Sequence, residues 1–184
     1  FNPAHLIKPS GALTGLHIKK NGEIEIYAVV QIMDNSKLIG YVQVSKPLTE
    51  LVNELADLNK VTLFLLADKA QVSKQEALNY QANLGLKDRW GIFDELVLVS
   101  LSQGNIDLQS LAAVVDRAVA TEDKDSKYLR DKFNLNDRRM NLGLIPVHDS
   151  EGNNIGRILL LKDISAAYSS YQISLTLTSV SFGI

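Results

Sequence analysis

The feature that most constrains this chain is an internal repeat. Ile39-Gly40-Tyr41-Val42-Gln43-Val44-Ser45-Lys46-Pro47-Leu48 lies over Ile155-Gly156-Arg157-Ile158-Leu159-Leu160-Leu161-Lys162-Asp163-Ile164, position 39 over 155, an offset of 116. Upstream, Ile32-Met33-Asp34 lies over Val147-His148-Asp149 at 115, so the second copy carries one extra residue in its turn. Each copy reads as a strand, a polar turn, a strand opening on Ile-Gly, and then an amphipathic helix. In the second helix Ile164, Ala167, Tyr168 and Tyr171 keep the i, i+3, i+4, i+7 spacing. Two hairpins each followed by a helix imply an α+β chain built on antiparallel sheets, in two related units.

The flanking segments fill in the plan. Residues 13–46 read as a three-stranded meander, with Asn21-Gly22 as a two-residue hairpin turn and a second turn over Asp34-Asn35-Ser36-Lys37. In its middle strand Ile24, Ile26, Ala28, Val30 and Ile32 share one face; Glu23, Glu25, Tyr27, Val29 and Gln31 share the other. Pro47 stops the sheet, and Leu48, Leu51, Val52, Leu55 and Leu58 predict a helix over 49–58. Val61–Ala67 is uncharged and reads as a fully buried strand. Ser73 with Glu76 forms a capping box, Val72 with Ala77 a staple, and Gly85 closes that helix. A strand over 93–100 and a helix capped by Asp107 follow, and the charged run from Thr121 to Asp137 reads as a solvated loop with room for one helical turn. Met140–Val147 and Ile155–Lys162 then pair across His148–Asn154.

Composition removes whole classes of function. There is no cysteine, so zinc ribbons, thiol redox centres and disulfide scaffolds are out. Nineteen Lys and Arg against 21 Asp and Glu leave no excess of positive charge for a broad nucleic-acid surface. No nucleophile elbow, phosphate-cradling loop, zinc-binding His pair or dinucleotide fingerprint occurs, so the chain is expected not to be an enzyme, and no cofactor is implied. His5, His17 and His148 stand singly. Asp149-Ser150-Glu151-Gly152-Asn153 lacks the spacing of a calcium loop and reads as a polar turn, and Asp123 and Asp125 read as solvated charge.

Polar side chains on one sheet face give the candidate binding site. Tyr27 and Gln31 share a face of the middle strand, Tyr41 and Gln43 share a face of the next, and His17 lies on the strand across the Asn21-Gly22 turn. Phenol, amide and imidazole groups there could converge on a small polar ligand. The alternative is that this face is wet, with Glu23 and Glu25 continuing it into solvent; a register slip of one residue would swap the faces. In the second copy Arg157 takes the place of Tyr41, with Arg139 and Asn141 on the neighbouring strand, where an Arg fork could hold a carboxylate or face water.

Two stretches carry a family resemblance. Leu144-Ile145-Pro146-Val147-His148-Asp149-Ser150-Glu151-Gly152-Asn153-Asn154-Ile155-Gly156-Arg157-Ile158-Leu159 and its partner Val30–Val42 resemble the terminal hairpins of Cache sensor domains. In that family an apolar-Pro-apolar-x-Asp strand end meets a Gly/Asn turn and then Ile-Gly. Asp163-Ile164-Ser165 is similar to the junction where Cache or PAS-type modules pass into their output helix. The resemblance implies PAS-like antiparallel sheets flanked by helices. It implies an extracytoplasmic small-molecule sensor, periplasmic, from a chemoreceptor, histidine kinase or cyclase, or else a ligand-free module that relays signals. It further implies a homodimer tethered to the inner membrane.

On that pattern residues 1–58 are the closing strands and helix of a membrane-distal module, and 59–171 a membrane-proximal one. The uncharged Gln172–Ile184 is then the start of a membrane helix, whereas its period-two alternation alone reads as a strand. The first ten residues carry no initiator Met and no signal pattern, and the chain reads as a piece of something longer. The Tyr, Arg, Trp, Tyr, Asp series of amino-acid-binding Cache domains is absent at recognisable spacing, so amino acids are not supported as ligands.

Overall fold

The computed structural model describes residues 12–83, 85–102, 106–121 and 129–170. Gln172–Ile184, His5, Asp123 and Asp125 lie outside them. Among the described residues, no helix is long and apolar enough to cross a membrane.

The fold is α+β with two antiparallel sheets. The first holds β1 (Ala12–Ile18), β2 (Ile24–Asp34) and β3 (Lys37–Pro47) in sequence order. Helix α1 (Leu48–Asn59) follows, ending on Lys60 in the left-handed region at φ 51°. The second sheet is built from β4 (Thr62–Asp68), β5 (Leu96–Leu101), β6 (Leu129–Leu135), β7 (Arg138–His148) and β8 (Asn154–Asp163), in spatial order β5-β4-β8-β7-β6. Counted within this unit the order is 2-1-5-4-3, consistent with a PAS-like sheet. A 3-10 turn (Lys69–Gln71) and α2 (Lys74–Asn83) connect β4 to β5, α3 (Leu108–Ala120) connects β5 to β6, and residues 165–170 are helical beyond β8.

Alternation along β4 divides the core. Phe64 and Leu66 face Leu98, Leu142, Leu144, Leu159 and Leu161, under Leu111, Val115 and Ala118 of α3. Leu63, Leu65 and Ala67 face the opposite way, against Leu48, Val52 and Ala56 of α1, with Ile24, Val97 and Ile155. Helix α1 therefore shares a core with the five-stranded sheet. Of its expected apolar stripe only Leu48 and Val52 are buried, while Leu51, Leu55 and Leu58 are exposed, because α1 meets the sheet along the narrower row 48, 52, 56.

The repeat is present in the geometry. Ile32 pairs with Gly40 and Val147 with Gly156, the positions that the two offsets equate. Both hairpins slip register at the same place, between Ile32 and Met33 and between Val147 and His148. The copies differ at their outer edge. Strand β8 pairs with β4 on its far side, and a Cβ on Gly156 would run into the Leu66 carbonyl oxygen. Strand β3 is the edge of its sheet, and a Cβ on Gly40 would meet nothing within 4 Å.

Two sequence expectations need correction. Residues 129–135 are strand β6, not solvated loop; Phe133 packs against the core and Leu135 is buried in it, and Asn136 and Asp137, both at positive φ, make the tight turn into β7. Three consecutive charges, Arg130, Asp131 and Lys132, interrupt the period-two pattern of Leu129, Phe133 and Leu135 and hid it. The first hairpin does not close on a two-residue Asn21-Gly22 turn either. Only Gly22 is left-handed, Lys19 N–H donates to the Glu23 carbonyl at 2.8 Å, and Ile18 pairs with Ile24.

Candidate functional site

That turn decides which residues share a face. A two-residue Asn21-Gly22 loop would set His17 opposite Ile26; the observed turn sets it opposite Glu25. Strand β1 thereby presents His17 on the Tyr27 side. Gln31 pairs directly with Tyr41, and Gln43 pairs with Val29. His17, Tyr27, Gln31, Tyr41 and Gln43 thus lie on one face of the three-stranded sheet, spread along it from the Glu25 end to the Gln31 end.

At the Glu25 end the side chains are in contact. The His17 and Tyr27 rings meet edge-on with centroids 5.5 Å apart, and His17 Nε2 lies 3.5 Å from Glu25 Oε2. Lys19 Nζ donates to Glu25 Oε1 at 2.6 Å and to Glu23 Oε2 at 2.7 Å, and the Tyr80 hydroxyl of α2 donates to Glu23 Oε1 at 3.2 Å. Tyr27, 1% exposed, donates its hydroxyl proton to Ser150 Oγ at 2.9 Å, in the β7–β8 turn. Burial of His17 holds its pKa below 6.5 despite Glu25 beside it. For Glu25 burial works upward, but the Lys19 ammonium outweighs it and the carboxyl sits below its ordinary range. This cluster joins the two sheets through directional bonds.

The other end is different. Tyr41 and Gln43 are exposed and Gln31 is half-buried. A recess of about 240 Å³ is lined by Thr14, Ile26, Tyr27, Ala28, Val44 and Lys46 among others; of the five candidates it includes Tyr27 alone. The opposite face of the sheet carries the apolar row: Ile26, Val30 and Ile32 with Val42 and Val44 are all exposed, Val44 at 65%. The polar face is the one turned inward at the Glu25 end, an inversion of the usual reading of an amphipathic strand.

Arg157 and Arg139 are not neighbours. Arg157 donates to the Gly156 carbonyl at 3.0 Å and lies opposite Pro146, seven residues or roughly 23 Å of strand from Arg139. Asp149 spends its carboxylate on its own turn, accepting from the backbone N–H groups of Glu151 (2.9 Å) and Asn153 (2.8 Å). No group of three or more metal-ligating side chains occurs among the described residues.

Sequence reasoning did not find the bridging roles of Lys19, Tyr80 and Ser150. Lys19 and its two carboxylates follow one parity once the turn is known, but nothing local ties Tyr27 to a serine 123 residues away.

The class that fold and repeat define is an α+β protein with a PAS-like antiparallel sheet and a second, smaller sheet joined to it through a polar cluster. No family model matches the chain, and no curated protein matches it. Among solved structures it is similar to the ligand-binding domain of the amino acid chemoreceptor PctC of Pseudomonas aeruginosa in complex with GABA, at 12% identity and a TM-score of 0.31, over 83% of this chain and 56% of that one. The chain thus spans little more than half the length of that domain, and at this TM-score the overlap assigns neither fold nor function.

Proposed function

We propose that the chain is a small-molecule-sensing segment of a transmembrane signal-transduction protein, acting on the extracytoplasmic side as a second copy pairs with it. The observation that carries this reading is the coupling of the last strand to the helical residues beyond it. Asp163 Oδ1 accepts from Ser165 N–H at 2.9 Å, Ser165 Oγ accepts from Arg139 N–H at 2.8 Å, and Ile164 N–H donates to the Arg139 carbonyl at 2.8 Å. Two strands of a PAS-like sheet thereby set where the helix starts. A ligand that favours one packing of the sheet shifts the population of helix positions by its differential affinity for the two.

A second reading, a ligand-free dimerising module that relays a neighbour's signal, is favoured by Tyr27, whose phenol is buried and bonded within the chain. A thermal-shift screen of the whole chain against organic acids, amines and sugars separates the two. A sensor gains stability as ln(1 + [L]/Kd) with some member of the panel. An unchanged Tm across the panel overturns small-molecule sensing and leaves the relay.

A further inference from the structure

Among the described residues, Arg139 is a fixed cation with no ion-pair partner. Its Nη1 donates to Asn134 Oδ1 at 3.2 Å, and its guanidinium carbon lies 5.5 Å from the centre of the Tyr168 ring. Its Nε is buried and makes no hydrogen bond. The acid on the neighbouring strand, Asp163, is engaged by Arg138 at 3.7 Å and by the Ser165 N–H. No carboxylate of the described residues is within ion-pair distance of Arg139. A guanidinium stays charged throughout the accessible pH range, and partial burial with only neutral partners is costly unless an anion completes the site.

The side chain borders an open cavity of about 490 Å³, lined by Asn134, Asp137, Arg139, Ser165, Tyr168 and Ser169. That volume falls within the range of about 300–1,000 Å³ usual for small-molecule sites. Ser165 Oγ accepts the Arg139 N–H and its own hydroxyl donates to the Asp163 carboxylate, which keeps that acid turned away from Arg139.

We propose that this cavity binds a small carboxylate. The Nη1–Nη2 edge of the planar guanidinium matches a carboxylate in two parallel hydrogen bonds. Asp137 in the lining repels a doubly charged phosphate more than a singly charged carboxylate. The walls come from β6, the turn at Asp137, β7 and the helical residues 165–169, so a bound carboxylate joins the sheet to the helical segment. The site does not depend on the sensing function above.

Nitrogen-15 NMR of the whole chain tests it, with sodium acetate titrated against sodium chloride of matched ionic strength. The expected result is a saturable shift of the Arg139 Nε–Hε and Ser165 N–H signals in acetate. That shift is lost in Arg139→Gln and weakened at least several-fold in Ser169→Asp, which adds a negative charge at an exposed position and leaves the Arg139 contacts in place. Shifts equal in chloride and acetate overturn the site, as does saturation by inorganic phosphate and not by acetate. Acetate binding that survives both substitutions also overturns it. A metabolite that stabilises wild type and Arg139→Gln equally supports sensing but places its ligand elsewhere.

Discussion

The two glycines that the repeat equates should respond oppositely to the same substitution. Gly156 lies between Ala67 of β4 and Val147 of β7, and a Cβ there would collide with the Leu66 carbonyl oxygen and stand 3.1 Å from Ala67 Cα. The obstruction is backbone of a central strand, so β4 and β8 must part to admit it. Overpacking of this kind costs about 1–3 kcal/mol, and a backbone obstacle puts Gly156→Ala in the upper part of that range, about 2–3 kcal/mol. Gly40 lies opposite Ile32 with nothing within 4 Å of its added Cβ. Gly40→Ala should stabilise by about 0.4–1 kcal/mol, because alanine narrows the unfolded ensemble. In a chain of 184 residues each kcal/mol moves Tm by about 2–4 °C, so Gly156→Ala lowers it by roughly 4–12 °C and Gly40→Ala raises it by roughly 1–4 °C. Thermal unfolding followed by circular dichroism, with urea midpoints alongside, reads both. A neutral Gly156→Ala, or two changes of the same sign, would refute the argument from close strand approach.

The junction cluster gives two further predictions. His17 binds its proton less readily folded than unfolded, so the unfolded chain takes up more protons as pH falls through 6.5; stability is full above that value and is lost on acidification toward the folded pKa. Glu25, also depressed, loses its contribution only below 4.5, so urea midpoints measured against pH should fall in two stages, and His17→Gln should remove the upper stage alone. A single stage unchanged by that substitution would contradict the assignment. Tyr27→Phe deletes the hydroxyl bond to Ser150 and should cost about 1 kcal/mol by urea denaturation, with the m-value unchanged; a neutral result would mean the bond contributes nothing to joining the sheets.

Much of the architecture was legible because it rests on local signals. The uncharged run Val61–Ala67 is a central strand with both faces buried. Asp107 caps α3 through Gln109 and Ser110, and Gly85 takes the left-handed conformation that ends α2. Strand β6 was hidden because the charged run Arg130-Asp131-Lys132 breaks its alternation, Asp131 falling on the parity of Leu129, Phe133 and Leu135. The candidate site was legible in its parity and not in its spread. Alternation places Tyr27, Gln31, Tyr41 and Gln43 on one side of their strands, but a face 11 residues long is not a pocket. His17 joins them through a turn geometry that the dipeptide Asn21-Gly22 misstates. Burial ran against composition: the apolar row Ile26, Val30, Ile32 is exposed among the described residues, while Glu25 is 8% exposed beneath its lysine.

The Tyr27–Ser150 bond gives the smaller sheet the mechanics of a cantilever. Its root is held by Tyr27 on Ser150 and by Glu23 on Tyr80 of α2, and Gly15 there leaves no room for sliding, since a Cβ on it would stand 2.9 Å from Ser150 Cβ. Its tip, the Asn35-Ser36 turn, is exposed and lies eight residues, roughly 26 Å, beyond Tyr27. A force applied near the tip acts on the root with that whole lever arm, and the root bears on the turn between β7 and β8. The apolar contacts of Ile24, Leu16 and Ile18 at the root can yield to such a load by slippage, whereas a hydroxyl bond of fixed length and angle passes it on as torque until it breaks.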